Sequence, residues 1–489
     1  MALFESILTL LLLAILLLQI SRRLGIPYPT MLAAAGLCVA ALPWAPEINL
    51  DPHLVLVLFI APAILDAAYD FPVRAIKRYW IALLALAVVA VIVTTAAVAW
   101  VGVALAGLPV AAAFALGAIV SPPDAAAAVA MLNRPSVPRT TATVLKGESL
   151  LNDATALMIF GVSVRIAMAD ASAGSVLPQL AFAVPGGILL GIIVGRVGGW
   201  VVPYLAGTLG SILFQFAVTF SVWLIADRLH LSAILAVVAT AMTAAHYTGS
   251  ASARDRLHTN SIWSVAIFML NVLAFLFVGL QARTIVREFD PAELHHAIVF
   301  SFVVLAVVIV VRIALVMTYN RAIQPLYRRL GYGPGPTIKQ GILASWCGMR
   351  GMVTLAAALA LPESFPQRGL IVLASLTVVL GTLVIQGLTL EPLVKLLRFP
   401  KDTSQHEETM LARATLADIA SKAHAESDRI DPHDDPALRL AMVQRQRDGL
   451  RDLHRSGRIE EDVFRAIEQE LDLEEVAATR DRPFNLVDA

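Results

Sequence analysis

Apolar residues run along this chain in long unbroken stretches joined by short charged connections. That is neither the alternation of a half-buried strand nor the one-sided stripe of a surface helix. A helix crossing a bilayer needs about 20 apolar residues at 1.5 Å rise each. The candidate stretches are 2–20, 29–44, 51–68, 79–105, 108–132, 142–168, 177–198, 208–226, 230–248, 259–281, 296–318, 338–360 and 368–394. The pattern predicts an all-α membrane protein with about 13 transmembrane helices. The run at 29–44 is the shortest, and Pro43 limits it. The first run lacks a basic leader and is followed by Arg22 and Arg23, so it reads as an anchor and not as a cleaved signal peptide.

Composition narrows the class. Of 489 residues 58% are hydrophobic and only 15% charged, where a soluble domain carries about 25%. A soluble enzyme, a disordered chain, a collagen and a disulfide scaffold are all disfavoured. Cys38 and Cys347 lie far apart in apolar stretches and offer neither a disulfide framework nor metal-ligand spacing. The formal net charge is zero, but it is unevenly divided: 25 Lys and Arg stand against 16 Asp and Glu through residue 401, and 12 against 21 beyond it. Residues 1–400 therefore read as a transmembrane domain and 401–489 as a cytoplasmic tail. With the N-terminus outside, inner loops receive 18 Lys and Arg and outer loops 5. That bias supports an odd number of crossings and a cytoplasmic C-terminus. Gly187, Gly191, Gly195 and Gly199 recur every four residues, which clears one helix face for close approach of another helix; packing inside the protomer is favoured over a dimer seam.

Ionisable groups inside these stretches are costly, roughly 2.5–3.5 kcal/mol each on insertion scales, and so point to function. They are Asp66, Asp124, Glu148, Asp153, Arg312 and Arg350. The surplus of acids suggests a cation pathway. Asp124 follows Pro122 and Pro123 in GAIVSPPDAAAA, where two missing amide protons should break the helix. A break at membrane depth is tolerated only in protein or beside a cavity. The prolines suit the first turn of a new half-helix with Asp124 at its positive end, and carbonyls near Ser121 become free to hold a cation. A proline kink capped by Asp124 is the plainer reading. In LKGESLLNDATALMIF, Ser149 and Asp153 share one helix face and Glu148 and Asn152 the adjacent one. A hydroxyl beside a carboxylate makes a hard-oxygen pair suited to a hard cation. Arg350, between Gly348 and Gly351, suits a second interrupted helix and needs an anion; Glu148 is the first candidate and Asp124 the next. A Glu148–Arg350 structural pair leaves Asp153 free for transport. Arg312 faces the bundle interior with no assigned partner. Asp66 has Asp70 four residues on, and reads equally as a vestibule acid or an interfacial carboxylate.

SPPDAAAA, KGESLLNDATALMIF and WCGMRGMVTLA, in that order, together with PAILDAAYDFP, resemble the monovalent cation:proton antiporter family of NhaP-type bacterial exchangers and animal sodium/proton exchangers. The resemblance spans about residues 1–400. It implies a 13-helix inverted-repeat fold, a homodimer and alternating access. It implies that Asp153 is the exchanging carboxylate, that Asn152 belongs to the Asn-Asp pair of electroneutral members, and that Ser149 and the backbone near Ser121 help hold the ion. Asp124 would assist, Asp66 would lie on the inner route, and Glu148–Arg350 would be the ion pair. Many members carry threonine or another small residue before Asp-Pro, where this chain has SPPD, which leaves the ligand at Ser121 open.

The expected function is exchange of a monovalent cation, Na+ first and Li+ also, for protons across the plasma membrane, by competition at Asp153. No enzyme activity and no cofactor is expected, and no nucleic-acid partner. A K+/proton antiporter of the same fold is the main alternative; a cation channel and an intramembrane aspartyl protease are remote, the latter because no Gly-x-Gly-Asp setting surrounds Asp124 or Asp153. In the tail, segments 407–427, 436–456 and 459–477 read as helices, with Ile459, Val463, Phe464, Ile467 and Leu471 at helical spacing.

Overall fold

The computed structural model describes residues 2–24, 26–41, 54, 56–124, 137–168, 173–205, 208–247, 252–287, 289–330, 335–400, 403–426 and 436–478. Among the described residues there is no strand. The chain opens with α1 (Ala2–Leu24) and α2 (Tyr28–Ala40). A π-helical turn (Leu56–Ile60) leads into α3 (Ala61–Tyr69), and a second (Ala85–Val89) joins α4 (Val73–Leu84) to α5 (Ala90–Ala106). Then come α6 (Val110–Val120), α7 (Arg139–Ala167), α8 (Ala173–Leu205), α9 (Leu209–Arg228), α10 (Ala233–Tyr247), α11 (Ala253–Arg287) and α12 (Pro291–Leu330). Residues 347–351 separate α13 (Ile338–Trp346) from α14 (Met352–Leu359), and α15 (Arg368–Leu397) follows. The tail forms α16 (Ser404–Glu426), α17 (Pro436–Arg455) and α18 (Glu461–Ala478).

Each apolar stretch read from the sequence carries helix. Among the described residues, 7 helices are long and apolar enough to cross a membrane, Val73–Ala106 and Arg139–Ala167 among them. The half-helix expected beyond Pro123 lies outside the described residues, as does Pro43.

Local chemistry explains where the helices that carry the site begin and end. Gly107 closes α5 in the left-handed region (φ 61°), a conformation glycine adopts without a Cβ clash, and Pro109 stands immediately before α6. Thr337 opens α13 with a capping box: its hydroxyl accepts the Gln340 amide (3.3 Å) while the Gln340 side chain accepts the Thr337 amide (2.7 Å). α6 is apolar on every side and rich in alanine, so it can only be a central helix. It packs against α5, α7, α14 and α15, and its Ala112, Ala113, Ala115 and Leu116 are fully buried.

Two compact units are formed. The first comprises Met1–Gly195, Thr219–Ala245 and Ile267–Pro400. In it α12 packs on α5, α13 and α15, and α15 also packs on α2. The glycine stripe of α8 faces α10: a Cβ on Gly187 would stand 2.6 Å from the Ser232 carbonyl and one on Gly195 2.9 Å from the Thr240 carbonyl, and one on Gly191 would overlap the Ala236 carbonyl. These three glycines serve packing inside the chain, as the spacing suggests.

The second unit comprises Arg196–Val218, His246–Ala266 and Lys401–Ala489. Its tail helices enclose Leu416, Val443, Leu450, Val463, Ile467 and Leu471. Asp472 on α18 is buried and held by two arginines, Arg256 in the first turns of α11 (Nε to Oδ2, 2.9 Å, with a second bond from Nη2) and Arg447 on α17 (2.8 Å). Arg447 also reaches Glu475 (2.6 Å). Trp263 donates to Gln215 (3.1 Å) and stacks on Phe216 at 4.2 Å. Burial alone would raise the Glu461 carboxyl, but a hydrogen bond from His454 and the charge of Arg465 outweigh it and hold the carboxyl below the ordinary glutamate range. That support at the start of α18 is present at neutral pH and lost as pH falls through the lowered value.

Gly191→Leu is expected to force α8 from α10 at a cost of about 1–3 kcal/mol and to lower the melting temperature of the detergent-solubilised protein. Gly198→Ala, whose Cβ would meet nothing within 4 Å, should leave it unchanged or slightly higher. Asp472→Ala removes the buried carboxylate that Arg256 and Arg447 share, a loss of about 3–5 kcal/mol, and is expected to make the tail of the full chain markedly more sensitive to limited proteolysis.

Candidate functional site

The site lies where the end of α6 meets the break between α13 and α14. α6 ends at Val120 because Pro122 and Pro123 have no amide protons to continue its ladder. The Ala118 carbonyl would have received the amide of residue 122; the Ser121 hydroxyl donates to it instead (3.1 Å). The first amide after the prolines is that of Asp124, and it donates to the Met349 carbonyl in the second break (2.7 Å). The Pro123 carbonyl accepts the side-chain amide of Asn152 on α7 (2.8 Å). One break is thus fastened to the other and to α7.

In the second break, α13 ends after the Cys347 amide bonds the Leu343 carbonyl (2.9 Å). The Arg350 amide then finds a side-chain acceptor, the Thr382 hydroxyl of α15 (2.9 Å), and the same hydroxyl donates to Val378 O (2.8 Å). Gly348 and Gly351 are needed here for volume, not for backbone freedom, since Gly351 has an extended backbone (φ −126°). A Cβ on Gly348 would press at 3.2 Å on Arg312 Cγ and Nε. A Cβ on Gly351 would stand 2.7 Å from Asp124 Cβ and overlap its carboxylate.

The charges around this crossing are sorted by geometry. Glu148 on α7 and Arg312 on α12 are both buried and meet as a bidentate pair, Nη1 to Oε1 and Nη2 to Oε2 (2.9 Å). Arg312 also donates to the Ala344 carbonyl of α13 (3.2 Å). The expected Glu148–Arg350 pair is therefore corrected: Glu148 belongs to Arg312. The planar fork of Arg312 satisfies both oxygens of the buried carboxylate at once. Arg350 is 1% exposed, and its Nε and Nη1 have no hydrogen-bond partner among the described residues.

Asp153 lies one turn beyond Ser149 on α7 and is 8% exposed; Ser149 is half-buried and Asn152 fully buried. The formal charges acting on Asp153 are those of Asp124 and Arg350. Asn152 spends its amide on Pro123, while its carbonyl Oδ1 has no partner among the described residues. Ser121 is buried at the end of α6, and Asp124 is half-buried. Asp66 is half-buried on α3, a helix that packs against α7. Hydrogen bonds thus fasten the backbone of Asp124 to Met349 and Asn152 to Pro123, and the charges of Asp124 and Arg350 act on Asp153. Sequence reasoning missed Thr382, one of several threonines in an apolar run and without a local signal. It also missed the Met349 carbonyl, which no side-chain pattern reports.

The family model described as sodium/hydrogen exchanger, transmembrane, matches residues 7–396. An uncharacterized Na(+)/H(+) exchanger of Mycobacterium tuberculosis is 30% identical, covering 94% of this chain and 93% of the relative. A sodium, potassium, lithium and rubidium/H(+) antiporter of Bacillus pumilus is 28% identical over 88% of this chain and 66% of its own length. Among solved structures, a sodium proton antiporter from Methanocaldococcus jannaschii superposes with a TM-score of 0.61 at 16% identity, over 81% of this chain and 99% of that one, and shares the fold.

The two arginines should differ sharply when each is replaced by a residue of similar length. Arg312→Met leaves Glu148 charged, buried and unpaired, and is expected to destabilise by about 3–5 kcal/mol. Arg350→Met leaves no bonded carboxylate behind and should lower the melting temperature of the purified protein less.

Proposed function

The chain belongs to the sodium/hydrogen exchanger family, and on that premise we propose that it exchanges one Na+ for one H+ by letting the two ions compete for the Asp153 carboxylate. The observation that carries this reading is the charge inventory of the crossing. Asp124, Glu148 and Asp153 stand against Arg312 and Arg350, and Glu148 is neutralised by Arg312. One acid is left in surplus. A single proton or a single monovalent cation balances it. Loaded with either, the site carries no net charge into the bilayer; empty, it carries one at a cost of roughly 2.5–3.5 kcal/mol. Movement between the two faces then favours the loaded carrier, and the exchange transfers no net charge.

The chain's own groups divide the work. Asp153 and Ser149, one helical turn apart, supply carboxylate and hydroxyl oxygens for the cation, and the backbone beside Ser121, loosened by the two prolines, supplies further oxygens. Asp124 adds negative potential. Asn152 is neutral where a second acid would draw a second ion, and its bond to Pro123 keeps the first break in place. Asp66 lies on the inner approach. Glu148 and Arg312 form the structural ion pair.

The loop-charge bias supports a plasma-membrane protein with its N-terminus outside and its tail in the cytoplasm. In this reading residues 1–400 are the transport domain with about 13 crossings and inverted repeats, and 401–489 a cytoplasmic helical tail. The protein works as a homodimer, opens its site to one side at a time, and serves pH homeostasis. Na+ is the first substrate and Li+ the second. K+ is the alternative, since the Bacillus pumilus relative is a sodium, potassium, lithium and rubidium/H(+) antiporter.

The test is cation-driven dequenching of a pH dye in everted vesicles, with Na+, Li+ and K+ across pH. Asp153→Asn should abolish the signal with every cation, and clamping the membrane potential should leave the wild-type rate unchanged. Full cation-driven dequenching by Asp153→Asn would sink the competition model; a response to K+ above that to Na+ would make K+ the substrate.

A further inference from the structure

The mechanism above leaves one buried group without a task. Arg350 is 1% exposed, has lost Glu148 to Arg312, and keeps Nε and Nη1 without a hydrogen bond among the described residues. A bare guanidinium in a low-dielectric interior is expensive unless something fixes it near negative charge. Its chain neighbours show where it is held. Met349, on one side, receives the Asp124 amide (2.7 Å). Gly351, on the other, lies flush against the Asp124 carboxylate, with no room for a Cβ. The residues on either side of Arg350 thus both contact Asp124.

What fixes Arg350 itself is a single hydroxyl. The Thr382 Oγ1 accepts the Arg350 amide (2.9 Å) and donates to Val378 O (2.8 Å), so it joins the break between α13 and α14 to an intact helical turn of α15. Thr382 is fully buried, and water has no access to replace it. Both capacities of the hydroxyl are used, and both are directional. The break has no helical ladder to hold residue 350, so without this hydroxyl its amide has no acceptor.

We infer that Thr382 is a positioning residue for ion exchange: it clasps the backbone of Arg350 so that the guanidinium stands as a fixed counter-charge to Asp153. This rests on the exchange at Asp153 proposed above. A fixed positive charge beside the site weakens cation binding and so promotes release. When the clasp is lost, the guanidinium drifts from its place, the cation binds more tightly, and turnover slows.

The experiment uses the full chain in proteoliposomes, with Na+-driven proton flux as the readout. Thr382→Val keeps the shape and removes the hydroxyl; Thr382→Ser keeps the hydroxyl. A buried amide left without its acceptor is worth about 1–3 kcal/mol, or about fivefold or more in an equilibrium constant. Thr382→Val is therefore expected to lower the apparent KM for Na+ about fivefold and to lower Vmax with it. Arg350→Gln should shift KM the same way, the double variant should shift it no further than Arg350→Gln alone, and Thr382→Ser should restore wild-type values. Should Thr382→Val fail to reach the membrane, Thr382→Ala removes the same acceptor and is read identically. A wild-type KM in Thr382→Val, a fall in Vmax with KM unmoved, or additive shifts in the double variant would overturn the inference. Absence of Na+-driven flux in the wild type would instead overturn the exchange reading beneath it.

Discussion

The bidentate contact between Glu148 and Arg312 is the interaction on which the crossing depends. It removes one acid and one base from the account and leaves Asp124, Asp153 and Arg350 to set the potential at the site. Its energetic worth is not the point, because a buried ion pair seldom outperforms a well-packed apolar pair. What it provides is arithmetic. With Glu148 committed, an uneven set remains, and a mobile unit charge of either kind completes it. Arg312 also ties α12 to α13 through the Ala344 carbonyl, so the pair that balances the charge also holds the helix leading into the second break.

The same economy governs the backbone. Interrupting two helices strands amides and carbonyls where no water can serve them. Each interruption is resolved by its neighbours: Ser121 serves Ala118, Asn152 serves Pro123, Met349 serves Asp124, and Thr382 serves Arg350. The broken segments are irregular in shape, yet they are bonded on several sides. Rigid irregularity of this kind places carbonyl oxygens and half-helix ends where a continuous helix would hide them.

Much of this was legible in the sequence. Apolar run lengths gave the helices, the Pro122-Pro123 pair gave the first break, and helical spacing placed Ser149 under Asp153. Tail periodicity anticipated α16 to α18 within a few residues. Contacts between distant segments were harder. Glu148 chooses between two arginines, 164 residues away in one case, and spacing along the chain holds no record of which side chain turns toward it. The surplus of acid survives that error, because the count is the same whichever arginine pairs. The π-helical turns at Leu56–Ile60 and Ala85–Val89 have no compositional mark. Nor does the tie from Arg256 to Asp472, since both sit among many charges that look solvated. Asp472 reads as one more acid of an acidic helix until the fold closes over it.

Gly351 and Asp124 occupy what is in effect a single parcel of space. The carboxylate fills the hollow that any larger residue at 351 would claim. Two positions 227 residues apart in the chain are thus bound into one steric unit. The acid cannot grow, and the opposing backbone cannot acquire bulk, unless the other yields. Any attempt to retune this transporter by altering Asp124 is therefore also a remodelling of the opposite helix, and the two must be redesigned as a pair.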